Sequence, residues 1–265
     1  MRLAIDHRTT YNFTVPQGRV VQQLRMTPEN TYDQTVADWH ITIDCDARMT
    51  QHRDGFGNAT TMLYCEGSID SIELSVTGEV VTSSGSGPLQ GGAETVPPLV
   101  FRRVTPVTAT TPEIIDFAEA AADGSDVAAL HRLNQAIRDR FGDDAGRPEA
   151  GLTAAKAFTR EALTARDMAH VFIAGARAIG VPARYVSGYC DLAGDHRPTP
   201  HGWAEAHVAG IGWFAFDPWL AVSPGEHHVR VAVALDAAGA APIAGSRLGE
   251  GVEKLVVEVT VQEQD

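Results

Sequence analysis

The sequence predicts an α+β protein: an antiparallel, β-sandwich-like half followed by helices packed on a second antiparallel sheet. Three observations carry this. Residues 1 to about 85 alternate apolar and polar with period two, a stretch rich in Gly, Ser and Pro interrupts them at 83–98, and helical spacing then appears before period two returns. The expected division is an N-terminal β unit with its linker over 1–98 and a second unit over 99–265.

The N-terminal elements follow from parity. Leu3, Ile5, Tyr11 and Phe13 fall on one face of a first strand. "DWHITIDC" places Trp39, Ile41, Ile43 and Cys45 on one side, and "SIELSVTGEVV" does the same for Ile72, Leu74, Val76 and Val80. "DGFGN" (Asp54 to Asn58) has turn chemistry, because Gly and Asn tolerate positive φ.

Beyond the linker, "TPEIIDFAEAAADG" starts a helix with Thr111 as N-cap and Pro112 at the first helical position, and stops it at Gly124. "DVAALHRLNQAIRDRFG" spaces Val127, Leu130, Ile137 and Phe141 for a second helix. After a short helical patch around 152–163, "RDMAHVFIAGARAIGVP" shows a broad apolar face of small residues, closed by Gly180 and Pro182, which predicts a buried helix. "ARYVSGYC", "GWAEAHVAG" and "GWFAFDPWL" read as strands, as do "HVRVAVAL" and "EKLVVEVTVQE", all expected in the second unit.

Composition narrows the function classes. The 265 residues carry 34 acidic against 21 basic side chains, a formal charge of −13, and no basic run longer than a pair, so nucleic acid is not an expected partner. No 18-residue apolar span suggests a membrane crossing, and the first residues lack the apolar core of a signal peptide, so a cytoplasmic location is expected. Cys45, Cys65 and Cys190 are too few and scattered for a disulfide framework or a zinc site.

The chemistry-bearing pattern lies in the last hairpin. His201 begins one strand and Asp217 ends the next, across a turn near Gly210 to Gly212, so antiparallel pairing brings position 201 opposite roughly 216–220. An Asp that accepts from imidazole fixes its tautomer, which is the base and orienter half of a nucleophilic triad. The third member is expected at a helix N-terminus, where the dipole lowers a thiol pKa. The buried helix begins near residue 165, and that residue is alanine.

"AIGVPARYVSGY", "HGWAEAHV" and "GWFAFDPW", in that order and spacing, resemble the transglutaminase-like superfamily, and the first half with "DGFGN" resembles the bacterial transglutaminase-like N-terminal domain. The resemblance covers nearly the whole chain. It implies a papain-like core and a cysteine, histidine, aspartate triad that forms a thioester and passes the acyl group to an amine or water. His201 matches the family's histidine and Asp217 its aspartate. Asp167, Ala169 and His170 match the segment after its cysteine, which in bacterial relatives usually reads G-V-C-Q-D-x-A-H, and the cysteine position falls on Ala165.

The departure extends to the neighbours: Leu163 stands at that motif's glycine, Thr164 at its valine and Arg166 at its glutamine. A laboratory Cys-to-Ala trap would leave those unchanged, so the substitution reads as a natural loss. The expectation is a catalytically deficient binding or regulatory homologue without a cofactor or metal, its partners a peptide or protein ligand, an active paralogue or an operon-encoded protein. Arg166, Asp167 and Trp203 are the expected ligand contacts, with Arg166 either binding a carboxylate or closing the cleft through a salt bridge.

Two alternatives stay open. Cys190 follows "SGY" and could be a relocated nucleophile of an active transferase or hydrolase, against its reading as a buried strand hydrophobe. Thr164 adjoins the lost cysteine but reads as an N-cap. A metal reading of His201, His207, His227 and His228 finds no i, i+4 pair with a nearby acid.

Overall fold

The structure, a computed structural model, describes residues 1–85, 87–92, 94–192 and 198–264. Positions 86 and 93 of the expected linker lie outside the described residues.

Strands β1 (Arg2–Leu24), β2 (Gln34–Ile43), β3 (Ala47–Arg53) and β4 (Ala59–Thr82) form the N-terminal sheet. The sandwich-like unit is built differently from a stack of short strands. β1 and β4 are each long enough to pass through both halves, with residues 71–82 of β4 pairing β1 and β2, and residues 59–66 pairing β1 and β3. The β1–β4 register shifts between Asn12 and Gln17 and again before Arg19. Pro16 lies in that break, where its missing N–H costs the ladder no bond. Tyr11 and Ile72 from one half then bury against Val20, Leu63 and Cys65 from the other.

Helices α1 (Pro112–Ala122) and α2 (Val127–Arg140) follow the linker as expected. Asp126 caps α2 by accepting from the Ala129 N–H, whereas Thr111 flanks α1 without a side-chain cap bond. A two-residue parallel pair, β5 (Gly142–Asp143) and β6 (Ala162–Leu163), brackets the short α3 (Ala154–Ala157). Helix α4 (Ala165–Ala178) is buried from Asp167 to Arg177. Met168, Val171, Phe172 and Ile173 are its largest apolar contributions, each stabilising by roughly 1.5–3 kcal/mol on burial. At its end the Arg177 guanidinium donates to the main-chain oxygens of Phe101, Ala183 and Leu235, where a cation also complements the helix dipole.

Strands β7 (Ala183–Cys190), β8 (His201–Val208), β9 (Gly212–Phe216) and β10 (His228–Ala234) make the core sheet in the order β10-β7-β8-β9, all antiparallel. Ala204 and Ala206 face α4, and their small side chains let the helix sit close to the sheet.

The C-terminal strands depart from the sequence expectation. β11 (Ile243–Leu248) and β12 (Glu253–Glu263) pair with β1, not with the core sheet, so the chain returns to the N-terminal sheet after completing the core. Alternation identifies a strand and its buried side but carries no information about its partner.

Two amide side chains join the sheets across the edge strand β10. Gln34 accepts from the Arg230 N–H and donates to the Arg230 carbonyl (2.8 and 2.9 Å), and Asn58 does the same with Val233 (2.8 Å each). They flank the β10 register shift between Arg230 and Ala232, where ladder groups would otherwise be unpaired. Asp54 fixes the "DGFGN" turn by accepting from the Phe56 and Asn58 N–H groups and from Arg25.

Candidate active site

Ala165 is the first helical residue of α4. Thr164 caps the helix: its hydroxyl oxygen accepts from the Asp167 N–H, and its O–H donates to Asp167 Oδ2 at 2.7 Å. Asp167 is buried, and its other oxygen takes the Arg166 guanidinium at 2.7 and 2.9 Å. Arg166 also donates to the Glu149 carbonyl, so its charge closes a local salt bridge at the rim of the cleft. Leu163 is buried directly before the cap.

The β8–β9 hairpin brings His201 to Asp217. Ala204 pairs with Phe216, and His201 Nε2 donates to Asp217 Oδ2 at 2.6 Å. Asp217 Oδ1 accepts from the Trp219 and Leu220 N–H groups, which anchors the carboxylate from its far side. Burial opposes the charge on Asp217, but His201 and His228 outweigh it and hold the carboxyl far below its usual range. The hydrogen bond at Nε2 leaves His201 Nδ1 as the nitrogen able to accept a proton.

A third strand adds two groups. His228 pairs directly with Cys190 across β10 and β7, with Cys190 Sγ 3.5 Å from His228 Nε2. His228 Nε2 is also 3.2 Å from Asp217 Oδ2. Burial is the main cause that lowers the His228 pKa, and it outweighs the Asp217 carboxylate, which acts to raise it. Ligand-type atoms of Cys190, His201 and His228 all lie within 4.8 Å of one another.

Close packing behind this cluster depends on two glycines. A Cβ at Gly202 would stand 1.8 Å from the Tyr185 hydroxyl, and one at Gly188 would meet the Val229 carbonyl at 2.2 Å and the Trp203 ring. Trp203 is buried with its ring edge-on to His228; it does not line the cleft that holds Ala165. That cleft is narrow, with a cavity volume of about 50 Å³, and is lined by Thr164, Ala165, Cys190, His201 and Trp219 together with Val259 and Val261 of β12. The returning strand therefore supplies a wall of the site.

Of the four histidines in the sequence-level metal reading, only His201 and His228 converge. His207 meets Trp213 edge to face, and His227 is exposed near Asp191. His170 accepts from the Ala237 N–H and packs beside Tyr185, holding α4 to the sheet. Sequence reasoning missed His228 as a neighbour of Asp217. Its one available signal was a strand opening on histidine, "HVRVAVAL", able to pair antiparallel with one ending in Cys190.

Comparison with known proteins agrees with this geometry. Residues 3–81 match the bacterial transglutaminase-like N-terminal region, and residues 115–218 match the transglutaminase-like superfamily core. Residues 115–218 are thus a transglutaminase-like core, and residues 3–81 are similar to the N-terminal region that accompanies it in bacteria. An uncharacterised protein of Mycobacterium leprae is 27% identical over 281 residues, covering 98% of each chain. A solved structure from Cytophaga hutchinsonii, provisionally described as a cysteine protease, superposes with a TM-score of 0.76 at 20% identity, covering 100% of this chain and 92% of that one. At that identity the likeness is one of fold. In this transglutaminase-like protein the core match spans Ala165, His201 and Asp217.

Proposed function

We propose that this transglutaminase-like protein is a catalytically deficient homologue that uses the cleft beside His201 to bind a peptide or protein segment. The observation that carries the reading is Ala165 at the first position of α4, where the helix dipole would activate a thiol but the side chain holds no nucleophile. A triad without its nucleophile keeps only a residual on the order of 10³ to 10⁴ over water, from binding and oxyanion donors. The retained His201–Asp217 pair then serves as a buried polar support for the cleft floor. An active paralogue presenting a peptide loop fits the same cleft.

A second reading is favoured by the approach of Cys190 to His228 and His201: an amide-bond transferase or hydrolase using Cys190 as a relocated nucleophile. Incubation with glutamine or peptide ester donors and an amine acceptor separates the two. The first reading expects no acyl transfer from the wild-type protein. Turnover that vanishes in Cys190→Ser would overturn it in favour of the second.

A further inference from the structure

We propose that Cys190, His201 and His228 form a binding site for a divalent cation of the zinc class, with Asp217 as the carboxylate that orients the two imidazoles. The proposal goes beyond the ligand-binding reading of the cleft, and it competes with the relocated nucleophile, since a metal-bound sulfur is not free to attack a carbonyl.

Topology brings the donors together. His228 lies directly opposite Cys190, and His201 lies opposite Gly188, two residues before Cys190. Period two therefore places all three on one side of the core sheet, and Asp217 enters from the end of the adjoining strand. Cys190, His201 and His228 are all buried.

The ligand atoms of Cys190, His201 and His228 lie within 4.8 Å of one another, close enough for a cation to draw them into one shell. Zinc bonds of about 2.0 Å to nitrogen or oxygen and about 2.3 Å to sulfur place ligand atoms about 3.3 Å apart, or about 3.5 Å when one is sulfur. His228 Nε2 is 3.2 Å from Asp217 Oδ2 and 3.5 Å from Cys190 Sγ. The 2.6 Å His201–Asp217 hydrogen bond makes Asp217 the outer carboxylate that orients the His201 ring. The Gly225 N–H, which points at His228 Nδ1 from a long 3.4 Å, must turn away when Nε2 binds.

Donor chemistry selects the class of ion. One thiolate and two imidazoles, with the Asp217 carboxylate behind them, suit zinc or its cobalt surrogate, whereas magnesium and calcium prefer oxygen alone. The thiol proton leaves as the metal binds. Cys190 and His201 line the cleft, which provides the entry path.

The test is titration of metal-free protein with Co²⁺, followed by absorption. The expected result is one equivalent bound with a thiolate-to-cobalt charge-transfer band, lost in Cys190→Ser and weakened at least tenfold in affinity in His228→Gln. Because the sulfurs of Cys45 and Cys65 are 3.1 Å apart, the Cys45→Ser/Cys65→Ser variant is the control and is expected to keep the band. Circular dichroism of each variant confirms that it folds. Absence of the band in the wild-type protein, or its persistence in folded Cys190→Ser, overturns the site. Neither outcome bears on acyl transfer, which is assayed on the metal-free protein, so the two proposals fail separately.

Discussion

Asp217 holds His201 from below with a 2.6 Å hydrogen bond, and the same oxygen reaches His228 at 3.2 Å, so one buried carboxylate organises two imidazoles from different strands. Replacing it leaves both rings and the Trp219 and Leu220 N–H groups without their acceptor. Asp217→Ala is expected to destabilise the fold by on the order of 3 kcal/mol, read from the urea midpoint at constant m. A change below about 0.5 kcal/mol, the range of neutral surface substitutions, contradicts the organising role.

The union of the two sheets rests on Gln34 and Asn58. Asn58→Ala unpairs the Val233 N–H and carbonyl and removes a partner of Asp54, so a loss of about 2–3 kcal/mol is expected by denaturant unfolding. Gln34→Ala acts on the same strand three residues away. The double variant is therefore expected to deviate from additivity by at least about 0.5 kcal/mol, which a double-mutant cycle measures.

Acid sensitivity has a definite sign. Burial lowers the pKa of His7 from 6.5 to about 4 and that of His170 from 6.5 to about 3. Both are bases with depressed folded values, so the unfolded chain takes up the proton first. Their contribution is fully present above pH 6.5 and falls as pH drops toward 4 and then 3. At about 1.4 kcal/mol per pKa unit, several kcal/mol are at stake by pH 4. A melting temperature that falls steeply between pH 6.5 and 4 is expected, with a shallower slope in His7→Gln. A flat profile over that window contradicts it.

Glu205 sets a second, lower window. Burial alone would raise its carboxyl, but Arg230 and Arg184 outweigh it and hold it at about 2, against 4.5 for the free group. Its stabilisation is present above pH 4.5 and is lost as pH falls toward 2. Glu205→Gln leaves the buried Arg184 with Glu94 as its one ionic partner among the described residues, and a cost of about 3 kcal/mol at pH 7 is expected from thermal unfolding.

The site was partly legible in the sequence for a local reason. His201 and Asp217 belong to one hairpin, whose turn fixes the register, and Thr164 and Asp167 sit at capping spacing, so both relationships lie within about sixteen residues. His228 meets Cys190 through the non-local β7–β10 pairing, and β12 reaches the cleft by crossing back to β1. Periodicity records which side of a strand is buried and says nothing of which strand lies beside it. Trp203 lies on the same side of the sheet as His201 but two residues further in, where it is buried and does not line the cleft that holds Ala165.

Restoring the thiol separates the role of residue 165 from that of its neighbours. Ala165→Cys is expected to give a thiol that iodoacetamide labels, with little acyl transfer, because Leu163 and Arg166 remain where the family pattern has glycine and glutamine. Transfer turnover well above the wild-type background in that single variant contradicts the weight placed on those positions.

The central claim is that no covalent acyl intermediate forms in this cleft. Intact-mass spectrometry of the metal-free protein, quenched after incubation with an activated peptide ester, tests it most directly. No acyl adduct on the wild-type chain is the predicted result. A hydroxylamine-labile acyl adduct that maps to Cys190 and is absent from Cys190→Ser would contradict it.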